Sequence, residues 1–248
     1  MFTDTHCHLS KEDYDVKEVL ENAIAAGINR FIASGSDHKS NMEVMFLIQD
    51  FPEVYGVIGI HPHEAKRYKS HDIEYIKKNQ TTDKIIGIGE IGLDYYYGKD
   101  TKEEQKELFE AQLKIAEEYE VPVVIHSRDA TMDTIAILKK YSVKGVIHSF
   151  SGSYETAQIY MKMGFKLGVN GVVTFKNSNL GDVIKQIPLE YIVLETDCPY
   201  LTPVPYRGKQ NEPKHLIEIA EFVANLKDIS LTELAEITTK NVRDIFDI

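Results

Sequence analysis

Eight short β-rich runs recur along this 248-residue chain: 2–6, 30–34, 54–61, 85–90, 121–126, 145–148, 166–170 and 191–197. Most are apolar throughout instead of alternating, which predicts strands buried on both faces. Helical spacing fills the intervals. Residues 102–119 place Leu108, Ala111, Ile115 and Tyr119 on one face, and residues 214–226 do the same with Leu216, Ile219, Ala220 and Val223. Ser40 with Glu43, Thr101 with Glu104, and Ser230 with Glu233 have the spacing of capping boxes and predict helix starts. Strands that alternate with helices predict a parallel sheet. Eight of them with no evident edge strand predict a closed (β/α)8 TIM-type barrel with an extra C-terminal helix. No linker, repeat or low-complexity stretch interrupts the pattern, so residues 1–248 read as one domain, a length usual for such a barrel. A chain this long buries roughly three quarters of its unfolded surface and needs no disulfide to stay folded.

The runs share a second property: they finish in hydrogen-bonding or ionisable groups. The last residues are His6, Ser34, His61, Glu90, His126, His148, Asn170 and Asp197. In a parallel barrel these ends meet on the C-terminal face, where catalytic groups collect. His6 and His8 lie two apart on a strand and share a face, so both imidazoles can reach one ion. The preceding Thr3, Asp4 and Thr5 are expected to orient them. Glu90 sits among Gly87, Gly89 and Gly92, which permit close backbone approach. From across the barrel its carboxylate can bridge two ions. His126 and His148 end adjacent strands and offer nitrogens to the second ion. Asp197 follows Ile192, Val193 and Leu194, a context in which a carboxylate is costly unless paired or bound to metal. It is expected to ligate an ion and to accept a proton. Glu195 shares its face but lies deeper, in a supporting role.

Four histidines and two carboxylates suffice for two divalent ions. Nitrogen-rich ligation favours zinc, manganese or iron over magnesium, and zinc, manganese and magnesium stand as the candidate ions. Such a pair activates water and polarises a phosphoryl oxygen. Glu90, Asp197 and His61 are the candidate catalytic groups. His61 and His63 are expected to contact substrate, as are Arg128 and Arg207, which follow proposed catalytic strand ends and suit phosphate recognition. Tyr95, Tyr96 and Tyr97 form an aromatic run that can stack on bases.

Composition narrows the class. With 43% hydrophobic and 27% charged residues, the chain has an ordinary globular balance, and no apolar stretch approaches a membrane span. The N-terminus shows no basic region followed by an apolar run, so a cytoplasmic location is expected. Cys7 and Cys198 are then reduced, and they read as small buried thiols facing away from the lumen. A net charge of −11 argues against a protein that coats nucleic acid. It leaves room for an enzyme acting on a phosphodiester, because two divalent ions dominate the local field.

The segments FTDTHCHL, GIHPH, GEIGLDYY, VIHSRDA, HSFSGS, LETDCPYL, RGKQNEP and TTKNVRDIF, in this order from residue 2 to near the C-terminus, resemble the TatD family of metal-dependent deoxyribonucleases. The resemblance implies an amidohydrolase-like barrel, metal ligation by His6, His8, Glu90, His126, His148 and Asp197, and hydrolysis of DNA phosphodiesters from a 3′ end. DNA with single-stranded ends is the implied partner, with no membrane and no obligate protein partner. Two positions depart from the family pattern: Gln210 stands where a second basic residue is common, and Cys198 replaces a small or hydroxyl residue. Two alternatives are a binuclear metallohydrolase acting on another small phosphoester or an amide, and a non-catalytic metal-dependent nucleic-acid-binding scaffold. No lysine ends strand four, which counts against the amide-cleaving branch, and the complete ligand set counts against the scaffold.

Overall fold

The computed structural model describes residues 1–248. Its eight strands are β1 (Phe2–Cys7), β2 (Ile28–Ser34), β3 (Val54–Ile58), β4 (Ile85–Asp94), β5 (Val123–Arg128), β6 (Gly145–Ile147), β7 (Lys166–Val169) and β8 (Ile192–Leu194). They pair in parallel in sequential order. Past the end of β8, Asp197 N donates to His6 O at 2.9 Å and His8 N donates to Cys198 O at 2.9 Å, which brings β8 against β1. The connecting helices are α1 (Val16–Ala25), α2 (His38–Asp50), α3 (Ser70–Asn79), α4 (Lys102–Glu118), α5 (Thr131–Leu138), α6 (Tyr154–Lys162), α7 (Leu180–Gln186) and α8 (Leu216–Lys227), followed by the extra helix α9 (Leu231–Phe246).

Period-two alternation organises the lumen. Ile32, Val57, Val124, Val146 and Val193 form one cluster with Val242, Ile245 and Phe246 of α9. One step up the same strand faces come Ser34, Gly59, His126, His148 and Glu195. α9 thus plugs the N-terminal end of the barrel, and the polar residues lie toward the opposite mouth. Phe246→Ala should destabilise the fold by about 3 kcal/mol, as expected for a buried aromatic truncation. A denaturant midpoint unmoved from wild type would show that the plug contributes nothing.

Several sequence expectations need correction at element boundaries. β4 runs four residues past Glu90, with a register shift between Ile88 and Ile91, so Glu90 lies within the strand instead of ending it. β3 stops at Ile58, and His61 instead begins a short 3-10 turn, Pro62–Glu64. β6 and β8 end before His148 and Asp197, because the chain leaves the ladder there to turn. Ser149 and Asp197 both have left-handed backbone angles, φ 49° and 56°.

The caps differ similarly. α2 is capped by Asp37, with Ser40 three residues on completing the box. Thr101 precedes α4 without capping it, since its hydroxyl donates to Gly98 O instead. Ser230 caps α9 as expected, accepting from Glu233 N at 3.1 Å. The buried face of α4 is centred on Gln105, Leu108, Phe109, Gln112 and Ala116, with Ala111 and Tyr119 only half-buried. Two glutamines enter that face because they bond main chain near the mouth: Gln112 to both N and O of Ile60, and Gln105 to both N and O of Asp94.

Candidate metal centre

Six side chains named above as candidate ligands converge in the barrel mouth. The two carboxylate oxygens of Glu90 face different groups of imidazoles. Oε2 lies 3.4 Å from His6 Nε2 and 3.7 Å from His8 Nε2. Oε1 lies 2.8 Å from His126 Nδ1, 3.6 Å from His61 Nε2 and 3.8 Å from His148 Nε2. Asp197 Oδ1 closes the ring at 3.6 Å from His8 Nε2 and 3.8 Å from both His6 Nε2 and His148 Nε2. Glu90 is 4% exposed, so its own charge is little screened by water.

The outward nitrogens decide what the inward ones offer, because a neutral imidazole donates from one nitrogen and presents a lone pair at the other. His8 Nδ1 meets Ser34 O at 3.0 Å, and His126 Nε2 meets Asp94 Oδ2 at 3.2 Å. His148 Nδ1 lies 3.0 Å from Glu195 Oε1. Ser34 O and Asp94 Oδ2 are acceptors, so His8 Nδ1 and His126 Nε2 carry the proton; the Glu195 carboxylate beside His148 Nδ1 favours a proton there by its charge, although the pair is not aligned as a hydrogen bond. The inward nitrogens of His8, His126 and His148 are therefore the ones an ion would take, once any proton held there has left. His6 Nδ1 pairs with Ser34 Oγ at 3.0 Å, which a serine hydroxyl satisfies as acceptor in the same sense. His61 is oriented the other way. Its Nδ1 accepts from His63 N at 3.2 Å, which places the proton on Nε2, toward Glu90. His61 is therefore a donor into the centre. Four inward lone pairs and two carboxylates form a donor set that suits divalent cations, with outer contacts of the kind that orient metal-bound imidazoles.

Ionisation follows the same geometry. Burial works to raise Glu90, but His61, His6, His148 and the bond from His126 outweigh it and hold the carboxyl well below its usual range. Burial lowers His6, reinforced by His148, and takes His61 down to about 3, so both stay neutral. Burial also opposes charge on His126 and His148, yet Asp94 and Glu90 hold His126 up at about 8, and Glu195 and Asp197 hold His148 up at about 10. Without an ion these two imidazoles carry protons at neutral pH. An ion needs their lone pairs and must displace those protons, so affinity should weaken as pH falls, first below about 10 as His148 takes up its proton and further below about 8 as His126 does. Calorimetric zinc titration of the metal-free protein in two buffers of different ionisation enthalpy should register proton release at pH 7, and equal heats in both would refute it.

Two supporting groups escaped the sequence reading. Asp94, 1% exposed, holds His126 and also lies 3.0 Å from His63 Nε2. Ser34 was read as a strand end, yet it contacts both His6 and His8. A carboxylate four residues after Glu90 was the available signal for Asp94. Asp94→Ala should weaken metal binding by about 10–100-fold. Chelator competition measures this, and unchanged affinity would show that His126 needs no outer partner. The expected role of Thr3, Asp4 and Thr5 is corrected: none touches an imidazole. Thr5 Oγ1 donates to Leu194 O, and Asp4 accepts from Thr196 N, Thr196 Oγ1 and His6 N, so both tie β1 to the β8 end. Glu195 reaches His148 from below, and only a glycine at 168 leaves it space, since a Cβ there would lie 2.3 Å from Glu195 Oε2.

A cleft of about 840 Å³ opens above the centre, lined among others by His8, Lys39, His63, Arg128, Asp197 and Tyr200. Arg128 stacks over Tyr96 and Tyr97, 4.1 and 4.9 Å from their ring centres, and both rings are exposed. Tyr95 is buried instead, with its hydroxyl on Asp133. Arg207 does not line the cleft: its guanidinium packs 3.8 Å from the Phe175 ring and donates to Thr202 O. Gln210 lies outside it too, bonding Asp13 O. Cys7 and Cys198 are free and fully buried.

A parallel β/α barrel with imidazoles and carboxylates gathered at its mouth defines a metal-dependent hydrolase scaffold. The chain belongs to the TatD family: residues 3–247 match the family described as TatD related DNase. It is 42% identical to the uncharacterized metal-dependent hydrolase YabD of Bacillus subtilis, with 100% of both chains covered. The crystal structure of YjjV, a TatD homologue from Escherichia coli K12, superposes with a TM-score of 0.94 at 29% identity, covering 100% of this chain and 98% of that one. The 3′-5′ ssDNA/RNA exonuclease TatD of Citrobacter rodentium is 31% identical, over 96% of this chain and 93% of its own. No helix is long and apolar enough to cross a membrane.

Proposed function

We propose that this metal-dependent hydrolase is a 3′–5′ exonuclease acting on single-stranded DNA ends through two divalent ions that share Glu90. The observation that carries the reading is the division of Glu90, with Oε2 toward His6 and His8 and Oε1 toward His126 and His148. His6 and His8 would hold one ion, His126 and His148 the other, and Asp197 completes the set. Bound there, the ions would polarise a phosphoryl oxygen and acidify a water.

The chain's own groups do the rest. Burial raises Asp197, but His148, the bond from His8, and His6 outweigh it and keep the carboxylate ionised, ready to accept the attacking water's proton. His61, neutral with its proton on Nε2, donates to a phosphate oxygen. Arg128 supplies a fixed positive charge beside that phosphate, and Tyr96, Tyr97 and Tyr200 offer exposed rings on which unpaired bases stack. The name of the Citrobacter relative supports a nucleic-acid substrate.

The test is hydrolysis of a short 5′-labelled single-stranded DNA by metal-free protein titrated with Mg²⁺, Mn²⁺ or Zn²⁺. A ladder that shortens from the 3′ end only with metal is the expected result. No cleavage with any ion, despite metal bound at the mouth, would discard DNA and move the reading to small phosphoesters.

A further inference from the structure

A second cluster of ligating side chains lies outside the barrel mouth. His38 opens α2, while His71 and Asp72 stand in the first turn of α3. Asp72 Oδ1 lies 3.0 Å from His38 Nδ1 and 3.3 Å from His71 Nε2, and the three atoms all fall within 4.8 Å of one another. Asp72 is 8% exposed. Its other oxygen, Oδ2, accepts from Lys69 N at 2.7 Å and caps α3. Oδ1 has no such duty: it and His38 Nδ1 are buried, adjacent, and without a hydrogen-bond partner, because their orientations do not align a donor with an acceptor. A buried oxygen and a buried nitrogen left unsatisfied at contact distance are costly on their own. A cation between them resolves both at once.

We propose that His38, His71 and Asp72 form a separate zinc-class site on the rim of the catalytic cleft. Tetrahedral zinc, with bonds of about 2.0–2.1 Å, sets its ligand atoms about 3.3 Å apart, close to the two separations observed. Two imidazole nitrogens and one carboxylate oxygen suit zinc better than calcium or magnesium, and water fills the fourth position. The nearby cations do not compete for the carboxylate, since Arg67 pairs with Glu64 at 3.5 Å and Lys39 with Glu12 at 2.6 Å. Access is open, because the side chains of His38 and His71 are 42% and 65% exposed. The site would join the start of α2 to the start of α3. Asp37 and Lys39, which flank His38, both line the catalytic cleft, so the site adjoins its rim without entering it.

Equilibrium dialysis against buffered free zinc, read by elemental mass spectrometry, tests the site. His71→Ala and His38→Ala/His71→Ala should each bind one zinc equivalent fewer per chain than wild type. Metal-dependent hydrolysis and circular dichroism should be retained, since neither residue lies in the barrel mouth. The difference is independent of how many ions the mouth holds. A zinc-edge anomalous map of wild-type crystals should show a peak bounded by the three side chains. Equal zinc content in wild type and both variants, or no peak there at saturating zinc, would overturn the assignment.

Discussion

Glu90→Ala removes metal-dependent hydrolysis while leaving the barrel folded. Glu90 faces both imidazole pairs, one through each of its two oxygens. On the proposed two-ion reading, its loss takes a shared anionic ligand from both ions and leaves His126 and His148, which tend to hold protons, without one of their carboxylates. Bound metal should fall below the wild-type content, and the rate should drop on the order of 10³-fold or more, because the electrostatic stabilisation of the reacting phosphate goes with it. Metal analysis, turnover and circular dichroism on one preparation check all three points. Full metal content with normal turnover would remove Glu90 from the centre.

Asp197→Asn separates holding an ion from accepting a proton. Asparagine keeps an oxygen in place and tolerates the left-handed backbone at this position, φ 56°, as aspartate does. It gives up the negative charge and the basicity. Metal content should therefore stay near wild type while kcat falls about 10²–10⁴-fold, the usual contribution of a general base, with KM changing much less. A rate loss that tracks loss of metal would reduce Asp197 to a ligand, and an unchanged kcat would exclude it from the chemistry.

The two variants differ because of how each carboxylate is held. Glu90 lies inside β4, its backbone N–H donating to Gly35 O at 2.8 Å, and it is nearly inaccessible to water. Asp197 has left the β8 ladder and lines the open cleft, where the proposed substrate phosphate and its water would arrive. A buried bridging position suits a permanent ligand, whereas the cleft edge suits a group that must exchange a proton during turnover.

Eight β-rich runs separated by helical spacing define the barrel, because strands buried on both faces are mostly apolar and hold polar residues only where these find partners, as Asp4 and Thr5 do, while the intervening helices need only one apolar stripe. The same pattern exposes the six convergent residues, since ionisable groups at the ends of apolar runs are rare without a function. Period-two alternation puts His6 with His8, and Val193 with Glu195 and Asp197, on one face of the chain wherever the neighbouring strands lie.

What remained hidden depended on distance in space. The tautomers that make His8, His126 and His148 acceptors toward an ion, and His61 a donor, are set by Ser34, Asp94, Glu195 and the backbone of His63. The first three come from other strands or, for Glu195, from just past the end of one. Gln105 and Gln112 look like solvent-facing positions of an amphipathic helix until the fold sets Asp94 and Ile60 against them. Arg128 and Arg207 both follow strand ends in the sequence, yet loop packing puts one in the cleft and the other on Phe175. His38 meets Asp72 only because α2 and α3 start side by side. Local periodicity determines which way a side chain faces along its own strand or helix. Which group it meets there is decided by contacts between segments far apart in the chain, and only the closed barrel brings those segments together.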